Sequence, residues 1–283
     1  MLSKVSKRKP LSQYHPIFYF LSVWFRRSLR YLKWQFDGRQ YAKTIHTRPL
    51  EHRIKKHQSR LIRHLGESDL TWQYNKVTNL KIAVKSLTGI VIKPKQTFSF
   101  CQLVGLPTTK KGYVEGMELS FGEARGGIGG GICQIANLIH WLVLHSPLQV
   151  IQRSQHSFDP FPDQGRVLPF GSGAAIFYNY IDYQFYNPTD HTFQINIWFT
   201  DKTIEGELRC DTDLGYVYHI YEKNHKFIKI DQTYYRQNEI WRDQCEKYKS
   251  GEIIASECMT KNFARVMYIP SHIDEDWSER SST

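Results

Sequence analysis

The sequence contains no C-x-x-C pair and no Cys/His cluster at zinc-finger spacing, which argues against a structural metal. Its five cysteines (101, 133, 210, 245 and 258) are an odd number, so a fully paired disulfide framework is excluded. No G-K-[ST] follows its glycine cluster, so there is no phosphate-binding P-loop, and no parallel βαβ pattern frames a dinucleotide site. No cofactor is therefore expected. No internal repeat or low-complexity tract is present.

Long apolar runs are also missing. The best is Pro16–Phe25, ten residues against the roughly 20 that a bilayer-spanning helix needs. Basic residues follow it at once, and no small-x-small cleavage site appears. The sequence thus shows no export signal, and the expectation is a cytoplasmic protein, at the inner membrane surface if at any membrane.

Acidic residues are scarce in one region. Residues 1–65 carry 16 Lys and Arg against 2 Asp and Glu, a net of +14, while the rest of the chain nets −3. The whole basic excess lies in the first quarter, where it suits an anionic partner, phospholipid or nucleic acid, or simply a solvated helical face. Ile17, Leu21, Trp24, Phe25 and Leu32 recur near helical spacing among Arg26, Arg27, Arg30 and Lys33. A basic, aromatic helix of this kind suits an anionic membrane surface. No nucleic-acid recognition motif accompanies it, so nucleic acid is the less favoured partner.

What is present is ordinary globular composition, 41% apolar and 23% charged, with 14% aromatics that favour strands. The pattern predicts an α+β fold: a basic N-terminal helical arm and linker (1–70), a main domain (71–270) with a central cysteine-bearing helix on a mostly antiparallel sheet, and a loose tail (271–283). Within these, 1–12 read as disordered and 48–70 as a linker with some helix. A helix capped by Asn75 is expected over 76–88, stopped at Gly89, then short strands at 90–92 and 97–100. A long glycine-rich loop covers 102–131 and a helix 133–145, ended by Pro147. Strands follow at 150–153, 174–186, 192–199 and 203–209, then a hairpin turning at Lys223-Asn-His, and a strand over 263–269.

The most informative stretch is Gly126-Gly-Ile-Gly-Gly-Gly-Ile-Cys133-Gln134. Five glycines in six residues before a helix serve close backbone approach or a strained turn. Cys133 falls in that helix's first turn, where the helix dipole and free N–H groups favour a thiolate. The N–H of Gln134 is a candidate oxyanion donor. A thiolate nucleophile wants a base, and His156 is the best candidate, with Asp159 or Asp182 to orient it. His140 lies two helical turns beyond Cys133, about 10 Å along the axis, too far for direct proton transfer.

Gly129-Gly130-Gly131-Ile-Cys133-Gln134, followed by Asn137-Leu, Ile151-Gln-Arg153 and His156, resembles the VanW family. The likeness extends upstream through Asn75–Leu87 and Lys95–Phe100, and downstream through Ile181-Asp-Tyr and Asn187-Pro-Thr, covering roughly 35–210. It implies cysteine-dependent acyl transfer on peptidoglycan stem peptides, of the L,D-transpeptidase or carboxypeptidase kind, linked to cell-wall metabolism or glycopeptide resistance. Cys133 would then be the nucleophile and His156 the base. Gly129, Gly130, Gly131, Gln134, Asn137 and Arg153 would line the acyl site, and the partner would be peptidoglycan or its precursor peptides. Many members carry Asp in a Gly-x-Asp-Ala segment; this chain reads Gly171-Ser-Gly173-Ala174, which implies either an impaired site or Asp182 in that role. The alternative expectation is a non-catalytic accessory protein associated peripherally with the cell envelope.

Overall fold

The structure is a computed structural model describing residues 15–62, 70–120, 123–155, 158–159, 162, 167–178, 180–248 and 251–277. Residues 1–12, expected to be disordered, and His156 lie outside the described residues. The fold is α+β.

The chain opens with α1 (Pro16–Phe36), β1 (Gln40–Tyr41), β2 (Thr44–Ile45) and β3 (His52–Arg60), followed by α2 (Leu70–Val84). Then come β4 (Ile90–Ile92), β5 (Gln96–Ser99), α3 (Phe100–Val104), β6 (Glu115–Ser120), β7 (Glu123–Ile128) and α4 (Cys133–Leu144). The remainder is β8 (Gln149–Gln152), β9 (Phe158–Asp159), β10 (Gln184–Tyr186), β11 (Phe193–Phe199), β12 (Thr203–Cys210), β13 (Tyr216–Ile230), β14 (Thr233–Glu246), β15 (Ile253–Val266) and β16 (Glu275–Asp276).

A fully antiparallel sheet in the order β2-β4-β11-β12-β3 carries α4 on one face. Ile135, Leu138, Ile139 and Leu142 of α4 pack in one core with Ile195, Ile204 and Leu208 of the sheet and Leu80 and Ala83 of α2. Burying each such aliphatic side chain is worth about 1.5–3 kcal/mol. A second sheet, β1-β5-β10-β8, closes the core with Phe98 stacked on Phe185 at 4.6 Å between ring centroids. A third, β16-β13-β14-β15-β9, is built from the long C-terminal strands.

Several segments differ from the sequence-based expectation, each for a local physical reason. Asn75 lies inside α2, and its side-chain amide donates sideways to the Glu115 carbonyl at 2.8 Å instead of capping the helix. Residues 52–60 form an edge strand on β12, not helix or linker. Its Lys, Arg and His content is what a protected sheet edge carries, and it masks the alternation. Residues 115–120 and 123–128 of the expected loop pair as antiparallel strands. The expected turn at Lys223-Asn-His is a bulge in one continuous strand, with Asn224 at φ 53°, and the true reversal follows at Asp231, φ 52°. Glu275–Asp276 in the C-terminal segment pair in parallel with β13, reinforced by a Lys226–Glu275 ion pair of 2.5 Å.

Among the described residues of 174–186, only Gln184–Tyr186 form a strand. The backbone groups before it bond to side chains instead: Ala174 N–H donates to Asn137 Oδ1 at 2.7 Å, and the carbonyls of Gly171 and Gly173 accept from Arg153 at 2.7 and 2.8 Å. A backbone group bonds one way or the other, and these are taken out of the ladder.

Asp182 ends that segment, fully buried. Its carboxylate accepts from Ser99 Oγ (2.6 Å), Cys101 N–H (2.9 Å), Tyr183 N–H (2.8 Å) and Gln184 Nε2 (2.7 Å), tying β5, α3 and β10 together. Removing it would strand buried donors at about 1–3 kcal/mol each. Asp182→Ala is therefore expected to destabilise the protein by about 3 kcal/mol or more in urea unfolding, with Asp182→Asn recovering part of the loss. A loss under about 1 kcal/mol for Asp182→Ala would contradict this role.

Candidate functional site

Three elements meet at Cys133: the glycine turn, the start of α4, and the irregular segment 171–176. The turn is shaped by close contact. A Cβ at Gly130 would collide with the backbone of Gly116 on β6, and one at Gly131 would collide with the Lys76 side chain on α2. Gly129 and Gly131 also have φ of 82° and 91°, which other residues adopt only with strain. Asn79 of α2 locks the turn by donating from Nδ2 to the Gly130 and Val114 carbonyls at 3.0 Å each, and by accepting the Val114 N–H at 2.9 Å. The glycines thus have a packing reason to be there.

This turn delivers Cys133 as the first residue of α4, half-buried beneath Ile176. Its sulfur accepts the Ile176 N–H at 3.4 Å and donates to the Ile176 carbonyl at 3.6 Å. Only the neutral thiol can serve both groups. Burial pushes the Cys133 thiol above its ordinary value; the Ile176 N–H bond pulls the other way, and the Glu118 carboxylate adds to the rise. Sequence reasoning missed Glu118. It lies on β6 beside Gly127, 3.8 Å from Arg125, and burial raises its own pKa.

The thiolate expected from a helix start is thus opposed by burial. Two of the first-turn N–H groups are also engaged, Gln134 N–H with the Gly131 carbonyl at 3.1 Å and Ile135 N–H with the Ile132 carbonyl at 3.0 Å. In this arrangement Gln134 offers no free oxyanion donor. Its side chain instead donates to Ser59 Oγ (2.9 Å) and the Arg60 carbonyl (2.8 Å), fastening the end of β3.

Asn137 and Arg153 organise the segment over the thiol. Asn137 holds Ala174, and its Oδ1 lies 2.9 Å from where a Cβ on Gly173 would stand. Arg153 is half-buried, grips the Gly171 and Gly173 carbonyls, and reaches Thr260 Oγ1 of β15 at 3.1 Å. Asn238 of β14 and Asn262 of β15 both donate to the Phe170 carbonyl, at 2.8 and 3.2 Å. The C-terminal sheet therefore helps to fix the segment that covers Cys133.

The remaining candidates sit elsewhere. Asp182 is the structural node described above. Asp159, on β9, pairs with Arg236 at 3.4 Å and accepts from Tyr268 at 3.3 Å in the C-terminal sheet. His140 is buried against Tyr183, with Nδ1 3.1 Å from the hydroxyl. Burial, aided by the nearby Arg153 charge, holds His140 well below the ordinary histidine range, so it is neutral near pH 7.

A family model described as VanW like protein matches residues 75–209. The Vancomycin B-type resistance protein VanW of Enterococcus faecalis (strain ATCC 700802 / V583) is 33% identical over 268 residues, 94% of this chain and 97% of that protein. Uncharacterized protein YoaR of Bacillus subtilis (strain 168) is 33% identical over 112 residues, 38% of this chain and 34% of that protein. No solved structure gives a significant match.

Because alkylation reports the thiolate, the raised Cys133 pKa fixes the direction of its pH profile. Iodoacetamide labelling of Cys133, read by mass spectrometry, is expected to be slow at pH 7. It should still be climbing past the value of about 8.5 where an unperturbed thiol is half-ionised. A half-point below about 7.5, in the range of activated thiols, would contradict the buried neutral thiol.

Proposed function

Since the chain belongs to the VanW family, we propose that it acts in glycopeptide resistance through cysteine-dependent acyl transfer on peptidoglycan stem peptides. The observation that supports this most is the pairing of the Cys133 sulfur with the backbone N–H and the backbone carbonyl of one residue, Ile176. A thiol that meets backbone N–H and C=O groups at hydrogen-bond distance suits a peptide substrate.

In this reading the base removes the Cys133 proton, and the sulfur attacks the carbonyl that precedes the terminal D-Ala of a stem peptide. The C–S bond forms as the C–N bond breaks, and the proton passes to the departing amine. The amine of a neighbouring stem, or water, then attacks the thioester and releases the sulfur. His156 is the base carried over from the family resemblance. Arg153, Asn137 and the glycine turn hold the segment and helix between which the thiol sits. Because burial disfavours the thiolate, proton removal by a base has to accompany substrate entry and the separation of Cys133 from Ile176.

A second reading is favoured by the engaged state of Cys133 and of two first-turn N–H groups: a non-catalytic accessory protein at the cell envelope. Incubation with a tetrapeptide stem ending in D-Ala separates the two. Acyl transfer requires release of D-Ala and a stem adduct on Cys133, with turnover lowered about 10³-fold or more in Cys133→Ala. An unmodified Cys133 and an intact stem would overturn it in favour of the accessory reading.

A further inference from the structure

Helix α1 turns its apolar residues away from the protein. Ile17, Leu21, Trp24, Phe25, Leu32 and Phe36 are 52–81% exposed and recur mostly at steps of three, four and seven residues. Its inner face is held by polar and aromatic contacts instead of a core. Tyr31 and Tyr178 share a hydrogen bond of 2.6 Å, Arg30 donates to Gln152 at 2.6 Å, and the Arg27 guanidinium stands 5.6 Å from the Tyr178 ring centre. An apolar face of this size seldom remains in water without a partner.

A cleft of about 350 Å³ runs along one border of that face, between α1 and β8. Among the described residues that line it, four are cationic (Arg26, Arg30, Lys33 and Arg39) and none is acidic. Arg26 lies over the Tyr180 ring at 4.7 Å, and Arg39 donates to Gln184 at 3.2 Å, so two of the cations are steadied from the body of the protein. Helix α1 itself contains no Asp or Glu, and Lys4, Lys7, Arg8 and Lys9 precede it in the sequence.

We propose that α1 docks this protein on an anionic phospholipid surface, lying in the plane of the interface with its apolar face among the acyl chains and a lipid phosphate in the cationic cleft. The helix is not apolar enough to cross a bilayer; one wide apolar face flanked by Arg and Lys is the pattern of a helix that lies on one. Charge selects the occupant. A second copy of α1 would bring the same cations against each other, whereas lipid phosphates neutralise them. The docking does not depend on Cys133 chemistry and stands or falls separately from it.

The test is sedimentation of the full chain with vesicles of phosphatidylcholine alone and of phosphatidylcholine mixed with phosphatidylglycerol. Binding is expected to need phosphatidylglycerol and to weaken with salt. Arg26→Gln with Lys33→Gln, both surface changes, should lower partitioning about fivefold per charge, the equivalent of about 1 kcal/mol each. Trp24→Ser with Phe25→Ser should abolish binding at any salt, and Cys133→Ala should bind like the parent. Any of four results would overturn the proposal: equal binding to both vesicle types, no binding, a Trp24/Phe25-dependent dimer in light scattering without vesicle binding, or inorganic phosphate binding at the cleft without vesicle binding.

Discussion

The position of the Cys133 sulfur rests on a contact that only glycine permits, the backbone of Gly130 lying against that of Gly116. From there Asn79 fixes the turn to α2 and β6, the left-handed torsions of Gly129 and Gly131 turn the chain, and α4 begins at Cys133. The direction of α4 is set by its apolar face on the antiparallel sheet. Its last turn is held from the C-terminal sheet, where Arg242 donates to the Leu144 and Ser146 carbonyls at 3.2 and 2.7 Å. Positive charge at a helix C-terminus is favourable, so the helix that carries the thiol is secured at both ends.

The segment over the thiol is held by side chains more than by a ladder. Arg153, Asn137, Asn238 and Asn262 each take backbone groups of the stretch 170–174, and the next residue but one, Ile176, meets the sulfur. Such a segment can move by exchanging a few hydrogen bonds without unzipping a sheet. That suits a cover over a thiol that burial keeps protonated. The long strands β14 and β15 thereby bear on the site through Asn238, Thr260 and Asn262 although they lie downstream of the family match at 75–209.

Much of this was legible in the sequence. The glycine cluster, the helix after it, the basic helix at 16–36 and the alternating strands at 193–199 and 203–210 follow from periodicity and composition. Other parts were hidden by polar residues used inside the fold. Strand β14 was not read because the residues it buries include Arg236, Asn238 and Arg242, which break the apolar alternation. Edge strand β3 was obscured by its charges. At the site, the candidate residues were found but several roles were not. Asp182 looked like a base-orienting carboxylate and is a four-donor structural node, Arg153 grips a turn, and Gln134 fastens a strand. Those roles depend on Ser99 and Cys101 for Asp182 and on Ser59 and Arg60 for Gln134, all distant in the sequence, which no local pattern reveals.

The central claim is that Cys133 is a neutral, hydrogen-bonded thiol in the resting protein. The S–H stretching band reads this directly, as the infrared difference between the protein and its Cys133→Ser variant at neutral pH. The expected result is an S–H band shifted by hydrogen bonding, lost in the variant, and persisting above about pH 8.5, where an ordinary thiol is half-ionised. No such band at neutral pH, together with a thiolate absorbance that the variant lacks, would contradict it.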